Sequence, residues 1–187
     1  MEKSTTKNKI IRIAITGPES TGKSTLTEQL AKHYKTAWVP EIAREYIASL
    51  NRTYTQNDIL SIAKSQLIKE KKMLSKANHY LFCDTELIVT KIWSEHSFKV
   101  CDEWILNNIN KNPYDLYLLC NIDLPWEYDP LREHPHLRDY FFQLYLNELK
   151  SRNFNFAIIS GKNEMRLHNA MNAIENFSKK TSLQNPQ

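Results

Sequence analysis

The amino-acid sequence predicts an α/β fold in which helices flank a five-stranded parallel sheet. Short apolar segments alternate along the chain with longer segments of helical periodicity, and this alternation is typical of a doubly wound sheet. The segments YLFCDT and YDLYLLC are apolar almost throughout, as expected of strands that are buried on both faces. A length of 187 residues suits a single domain with a sizeable core.

Apolar runs mark the predicted strands, and helical spacing of apolar residues marks the helices. The first strand is the run IIRIAIT, and the helix after it has Leu26, Leu30 and Tyr34 on one face. The predicted strands cover residues 10–16, 36–41, 80–85, 114–120 and 156–160. The predicted helices cover residues 23–34, 55–77, 86–96, 102–110, 137–152 and 163–178. We expect residues 1–8 and 179–187 to be disordered ends, so that the domain spans residues 9–178.

One segment, DLPWEYDPLREHPHLRD at residues 123–139, interrupts this alternation. It carries three prolines and many charges, and it is too long and too polar for a simple connection. Long loops in compact domains often act as lids over a site. We therefore expect this lid to be mobile without ligand and to become ordered when a nucleotide binds.

The sequence GPESTGKST at residues 17–25 has the spacing of a phosphate-binding loop, G-x-x-x-x-G-K-[ST]. Glycine lets the backbone turn so that successive N–H groups face phosphate oxygens. Lys23 is expected to reach the β- and γ-phosphates of ATP, and Ser24 to bind Mg²⁺. The alternative is a glycine turn with a solvated lysine, but the flanking strand and helix favour nucleotide binding. The predicted nucleotide contacts are Gly17, Pro18, Glu19, Ser20, Thr21, Gly22, Lys23, Ser24 and Thr25.

Two acidic residues follow other predicted strands, at the edge where parallel sheets collect their chemistry. Asp84, after LFC, is expected to lie near Mg²⁺, although it could instead cap the next helix. Glu41, in VPEIAREY, could take the proton of an acceptor hydroxyl during phosphate transfer, or could be a surface residue where a helix starts. Arg44 lies one helical turn beyond Glu41, so it could pair with Glu41 or bind substrate.

Cationic and aromatic side chains near the predicted site are further candidates. Arg132 and Arg138 of the lid are expected to contact phosphate oxygens, unless they are only solvated charges. Trp93 and Trp126 could stack on the flat base of a substrate, although a core position is the default for tryptophan. The sequence does not decide which aromatic residue would stack.

Composition narrows the possible partners and compartments. The 25 basic and 21 acidic residues give a net charge of +4, which suits an anionic nucleotide but is too weak to argue for nucleic acid. Cys83, Cys101 and Cys120 form no CxxC pair, so we expect free thiols in a reducing compartment. The first residues lack the apolar stretch of a signal peptide, and no run reaches transmembrane length. These features predict a cytoplasmic protein without a membrane partner, and they leave the oligomeric state open.

Four segments together resemble the kinase domain of NadR-type proteins of NAD biosynthesis, the nicotinamide riboside kinases grouped with AAA-type ATPases. They are ITGPESTGKSTL, PEIAREY, LFCDTELIVTKIWSE and YDLYLLCNIDLPWEYDPLREHPHLRDYF, within a resemblance over about residues 9–178. The resemblance implies the P-loop fold of nucleoside and nucleotide kinases, with ATP and Mg²⁺ as cofactors and a ribosyl 5′-hydroxyl as acceptor. It also implies an adenine loop near Gly161. It does not extend to the adenylyltransferase and DNA-binding segments of full-length family members.

Three classes of function fit such a domain: a small-molecule kinase, an ATP-driven switch or motor of a larger assembly, and a nucleotide-binding interaction protein. The lid arginines and the acidic residue after the second strand favour the kinase, because a motor needs no second small-molecule pocket. A motor should also carry a sensor or trans-acting arginine element, and the sequence shows none. The sequence therefore predicts phosphate transfer from ATP to nicotinamide riboside or a related nucleoside.

Overall fold

Five parallel strands form the sheet in the computed structural model, which describes residues 9–184. The strands are β1 (Ile11–Thr16), β2 (Trp38–Val39), β3 (Tyr80–Asp84), β4 (Leu116–Cys120) and β5 (Phe156–Ile159). They lie in the order β2-β3-β1-β4-β5, and every neighbouring pair is parallel, which confirms the predicted sheet. All residues of β4 are buried, as its apolar sequence predicted. β2 stops before Pro40, which lacks an N–H for the ladder, and is therefore shorter than the predicted strand.

Seven helices lie in the described part of the chain, six of them at predicted positions. They are α1 (Lys23–Tyr34), α2 (Ile42–Ala48), α3 (Gln56–Leu74), α4 (Leu87–Phe98), α5 (Glu103–Lys111), α6 (Arg138–Ser151) and α7 (Asn163–Gln184). Helix α2 was not predicted, because it is short and has no fully buried residue that would create an apolar pattern. The prediction of a disordered tail from residue 179 is wrong as far as residue 184, which ends α7. The same prediction for residues 1–8 and 185–187 lies outside the described residues.

Two apolar clusters cover opposite faces of the sheet, because side chains alternate along each strand. Ile13 and Ile15 of β1 belong to the cluster that packs against α1 and α7. Ala14, between them, belongs to the cluster formed with α3, α4, α5 and α6. Because helices cover both faces of the sheet, its polar loops lie at the ends of the strands.

The register brings the carboxyl ends of the three central strands to one edge. Ile15 of β1 lies opposite Asp84 of β3, and Thr16 lies opposite Leu119 of β4. The phosphate loop follows Thr16 directly, so it starts between the ends of β3 and β4. This edge is where ligands bind in open α/β sheets.

The structure describes the state of the three cysteines and the character of the helices. Cys83, Cys101 and Cys120 are free thiols, as predicted. Burial raises the pKa of both Cys101 and Cys120 to about 11, so neither is a reactive thiolate at neutral pH. Within residues 9–184, no helix has the length and apolar character needed to cross a membrane.

Candidate active site

A cavity of about 830 Å³ opens at the carboxyl edge of the sheet. The phosphate loop forms one end, residues of α3, α4 and α6 form the other, and the lid contributes a wall between them. The predicted site residues that line the cavity are those of the phosphate loop (Gly17, Pro18, Glu19, Ser20, Thr21, Gly22, Lys23, Ser24 and Thr25), together with Glu41, Arg44, Trp93 and Arg132. Asp84, Trp126, Arg138 and Gly161 lie outside its lining.

The phosphate loop adopts backbone conformations that glycine permits. Gly17 has a φ of 128° and lies so close to β4 that a Cβ there would be 2.9 Å from the Cys120 carbonyl oxygen. Gly22, with a φ of 74°, directly precedes α1. Lys23 Nζ donates to the Pro18 carbonyl oxygen at 2.7 Å. The ammonium group therefore lies across the loop, where a phosphate oxygen could replace the carbonyl as its partner.

Asp84 is buried at the end of β3, with its side chain next to the start of α1. Its residue is 1% exposed, and its Oδ1 has no hydrogen-bond partner. Burial raises the pKa of Asp84 to about 6; Glu41 adds to the rise, while the Ser24 hydroxyl and Lys23 oppose it. An unsatisfied carboxylate oxygen beside a serine hydroxyl fits Mg²⁺, which prefers oxygen ligands. Asp84 and Ser24 are thus the residues that could hold the metal.

Glu86, and not Asp84, caps helix α4. Its carboxylate accepts a hydrogen bond from the Ile88 backbone N–H at 2.6 Å and another from the Thr16 hydroxyl at 3.0 Å. Capping therefore does not account for Asp84. Glu86 also lines the cavity, and burial raises its pKa to about 7. It escaped prediction because in the sequence it marked only the start of a helix.

Glu41 and Arg44 lie at the start of α2, on the wall of the cavity. Glu41 is close enough to Asp84 for its charge to raise the pKa of that residue, and its carboxylate makes no capping hydrogen bond. This leaves the carboxylate available to a ligand. Arg44 Nη1 donates to Asp129 of the lid at 2.8 Å, so the structure pairs Arg44 with the lid instead of with Glu41.

The two lid arginines have different surroundings. Arg132 Nη1 donates to the Glu127 carbonyl oxygen at 2.6 Å and to Ser20 Oγ at 3.4 Å, which places its guanidinium at the tip of the phosphate loop. Arg138 Nη1 donates to the backbone carbonyls of Ser20 at 3.2 Å and Leu124 at 2.9 Å. Arg138 therefore braces the loop against the lid, and direct contact with phosphate remains a prediction for it.

Aromatic side chains form the end of the cavity away from the phosphate loop. Trp93 Nε1 donates to the Tyr54 hydroxyl at 3.1 Å, and the two rings meet edge to face with centroids 4.9 Å apart. Phe141 and Tyr145 of α6 and Gln66 of α3 line the same region. This end can hold a flat, partly polar group, because it combines aromatic faces with an amide.

Trp126 and Gly161 make their contacts outside the cavity. The Arg138 guanidinium lies 5.9 Å from the centroid of the Trp126 ring. Gly161 has a φ of 100°, and its N–H donates to Asp123 Oδ2 at 2.6 Å. Residues 162–163 line the cavity, so the loop after β5 reaches the site even though Gly161 itself does not. Stacking by Trp126 and adenine binding near Gly161 remain predictions.

Arg166 of α7 connects the phosphate loop to three neighbouring segments. It is 4% exposed, and its Nη2 donates to the carbonyl oxygens of Thr21 and Asn121, each at 2.8 Å. Its Nη1 donates to Asp123 Oδ1 at 2.7 Å and to the Gly161 carbonyl oxygen at 2.8 Å. One guanidinium thus fixes the phosphate loop relative to β4, the lid and the loop after β5. Nothing in the sequence marks this residue, which lies within a polar helix.

Two bacterial NadR proteins are similar to this chain over part of their length. The trifunctional NAD biosynthesis/regulator protein NadR of Salmonella typhimurium is 28% identical over 153 residues, which cover 78% of this chain and 37% of NadR. NadR of Escherichia coli is 29% identical over 126 residues, which cover 64% of this chain and 30% of that protein. The chain thus spans about a third of the length of these curated relatives.

Solved structures share the fold of this chain. A crystal structure of NadR in complex with NR has a TM-score of 0.75 at 20% identity, covering 90% of this chain and 50% of that one. Deoxyadenosine kinase from M. mycoides has a TM-score of 0.62 at 14% identity, covering 89% of this chain and 100% of that one. These similarities confirm the predicted P-loop fold of the nucleoside and nucleotide kinase type.

A family-level match covers most of the chain. The sequence pattern of the AAA domain matches residues 12–166. This range includes the phosphate loop, Asp84, the lid and, at its end, Arg166. The chain therefore belongs to the AAA domain family.

Proposed function

We propose that the protein is an ATP-dependent kinase that phosphorylates the 5′-hydroxyl of a nucleoside, with nicotinamide riboside as acceptor and nicotinamide mononucleotide as product. The observation that carries this proposal is one cavity that joins the phosphate loop to an aromatic pocket around Tyr54 and Trp93. ATP hydrolysis alone requires only the first of these two parts. A pocket beside the phosphate loop is what a kinase needs to hold its acceptor in position.

Two further observations support nicotinamide riboside as the acceptor. The similarity to NadR includes a solved NadR complex with NR and another with NAD and AMP-PNP. The nicotinamide ring of the riboside is flat and positively charged, and aromatic faces such as those of Tyr54 and Trp93 attract flat and cationic groups. Both observations point to the same acceptor.

ATP would occupy the end of the cavity formed by the phosphate loop. Lys23 and Arg132 supply positive charge there, and the backbone of the loop supplies N–H donors. Ser24 and Asp84 would hold Mg²⁺, since Asp84 Oδ1 is buried without a partner. Mg²⁺, when bound, would neutralise negative charge on the phosphate oxygens.

In the transfer step, the 5′-oxygen of the acceptor attacks the γ-phosphorus of ATP. The bond from the γ-phosphorus to the bridging oxygen breaks, and ADP leaves with the electron pair. Glu41 accepts the proton of the attacking hydroxyl, because its carboxylate lines the cavity and is not used as a helix cap. Lys23 and Arg132 stabilise the charge that develops on the phosphoryl oxygens.

We assign the reaction to the cytoplasm. The chain has three free cysteines, and Cys83 and Cys120 are buried as thiols. Secreted domains usually use such cysteines in disulfides, whereas a reducing compartment keeps them free.

The test of the proposed function is phosphate transfer from ATP to a panel of nucleosides that includes nicotinamide riboside, with products identified by mass. We expect nicotinamide riboside to be the best acceptor and its 5′-deoxy analogue, which lacks the accepting hydroxyl, to give no product. The Lys23→Ala variant, purified in parallel, controls for contaminating kinases. If another nucleoside is phosphorylated preferentially, that nucleoside, and not nicotinamide riboside, is the acceptor. ATP hydrolysis without any phosphorylated nucleoside would overturn the kinase assignment.

A further inference from the structure

Glu19, in the phosphate loop, binds the backbone of the lid through its carboxylate. Its Oε2 accepts hydrogen bonds from the backbone N–H groups of Glu133 at 3.1 Å and His134 at 3.2 Å. Hydrogen bonds to a carboxylate are charge-assisted and stronger than those between neutral groups. The donors belong to the backbone, so the contact holds the lid chain itself and not only one of its side chains. We call these two bonds the latch.

The two lid residues of the latch also contact the aromatic end of the cavity. The Tyr54 hydroxyl donates to Glu133 Oε2 at 3.3 Å. The His134 ring centroid lies 4.6 Å from that of His96 and 5.4 Å from that of Phe141. Tyr54, His96 and Phe141 all line the cavity. The latch therefore joins the phosphate loop to the wall of the pocket that would hold the acceptor.

Arg132 immediately precedes the latch in the chain. Its guanidinium lies at Ser20 of the phosphate loop, one residue beyond Glu19. Ser20 Oγ in turn accepts a hydrogen bond from the Glu127 backbone N–H at 2.9 Å. The position of Arg132 over the loop thus depends on how firmly residues 127–134 are held. Among these contacts between residues 127–134 and the phosphate loop, the latch is the one that uses a charged side chain of the loop.

We infer that Glu19 is a positioning residue that latches the lid onto the phosphate loop and so favours phosphate transfer to the acceptor over transfer to water. The inference rests on the proposed kinase function. In the competing reaction, a water oxygen attacks the γ-phosphorus, the bond to the bridging oxygen breaks, and ADP, inorganic phosphate and a proton are released. A released lid admits water and displaces Arg132, so transfer to the acceptor falls by more than hydrolysis, and the ratio of hydrolysis to transfer rises.

The first test compares Glu19→Ala and Glu19→Gln with the wild type. We expect Glu19→Ala to raise the ratio of hydrolysis to transfer about 5- to 20-fold, because lid closure controls access of water. Glu19→Gln should show a smaller rise, since the amide oxygen still accepts hydrogen bonds but carries no charge. Glu103→Gln, an equal change of charge on the exposed start of α5, serves as control and should leave the ratio unchanged. An unchanged ratio in Glu19→Ala would overturn the inference.

The second test does not depend on catalysis. With a non-hydrolysable ATP analogue bound, residue-resolved hydrogen exchange should show the amides of Glu133 and His134 protected in the wild type and exchanging at least about 5-fold faster in Glu19→Ala, because their acceptor is gone. Amides in the buried part of α6, such as Phe142 and Leu149, should not change, which excludes general unfolding. If the amides of residues 133 and 134 exchange at the same rate in the wild type and in Glu19→Ala, Glu19 does not hold the lid and the inference is wrong. Transfer to nicotinamide riboside by the wild type decides the kinase assignment separately.

Discussion

Replacement of Asp84 by asparagine should stabilise the ligand-free protein while destroying its use of magnesium. The carboxylate is buried, and its Oδ1 has no partner. Burial raises the pKa from an ordinary 3.8 to about 6. At about 1.4 kcal/mol for each pH unit, this rise corresponds to about 3 kcal/mol of lost stability when the group is charged in the fold. Asparagine has nearly the same shape and no charge, so it removes that penalty.

The sign of the pH dependence follows from the same shift. Between pH 3.8 and about 6 the folded protein holds a proton on Asp84 that the unfolded chain has lost. The contribution of this group to stability is therefore lost as the pH rises through about 6, and the full penalty applies at pH 8. Glu86, whose pKa is raised to about 7, titrates in both proteins, so the difference between them isolates Asp84.

Urea unfolding without magnesium measures the effect. At pH 8 we expect Asp84→Asn to be more stable than the wild type by about 1–3 kcal/mol, the lower end allowing for amide N–H donors that must find acceptors. At pH 5 the difference should fall to about half. The exposed Asp139→Asn, as control, should change stability by less than about 0.5 kcal/mol at either pH. A destabilised Asp84→Asn at pH 8, or a difference that does not depend on pH, would refute the assignment of Asp84 as a buried carboxylate with one unsatisfied oxygen.

Three other substitutions separate the roles within the site. Lys23→Ala should cost about 2–4 kcal/mol of transition-state stabilisation, measured as kcat/KM, because a cation next to the phosphates is lost; normal turnover would refute the role of the loop. Glu41→Gln should depress transfer and leave ATP affinity nearly unchanged in a titration with a fluorescent analogue; a changed magnesium requirement instead would assign Glu41 to the metal. Arg132→Ala should lower the transfer rate about 10²- to 10³-fold with a smaller change in nucleoside affinity. An unchanged rate would mean that this part of the lid is only a surface loop.

Features encoded by neighbouring residues could be predicted from the sequence. The phosphate loop has a fixed spacing, and its glycines adopt the positive φ values that the loop requires. The buried strands are apolar runs, and their parallel pairing follows from the helices between them. Asp84 could be placed at the edge of the sheet because it ends an apolar strand. Its unpaired oxygen could not be predicted, since it depends on which residues of α1 and α2 face it.

Features that depend on long-range contacts escaped prediction. The lid sequence alone does not show how the positions of Arg132 and Arg138 differ. In the structure Arg132 lines the cavity, whereas Arg138 begins α6 and donates to backbone carbonyls. Arg166 binds atoms of segments that are distant in the chain, and no local pattern reveals such contacts. Helix α2 is too short and too exposed to show apolar periodicity. Each of these features is fixed by packing between elements and not by the sequence of one element.

Transfer of a labelled phosphoryl group tests the central claim most directly. ATP carrying ¹⁸O on the non-bridging oxygens of its γ-phosphate would be incubated with the protein, Mg²⁺ and nicotinamide riboside, and every phosphorylated product would be weighed by mass spectrometry. We predict that the label appears in nicotinamide mononucleotide, in an amount equal to the ADP formed. Label found only in inorganic phosphate, with nicotinamide riboside unchanged, would contradict the assignment of this cavity as the site of a nucleoside kinase.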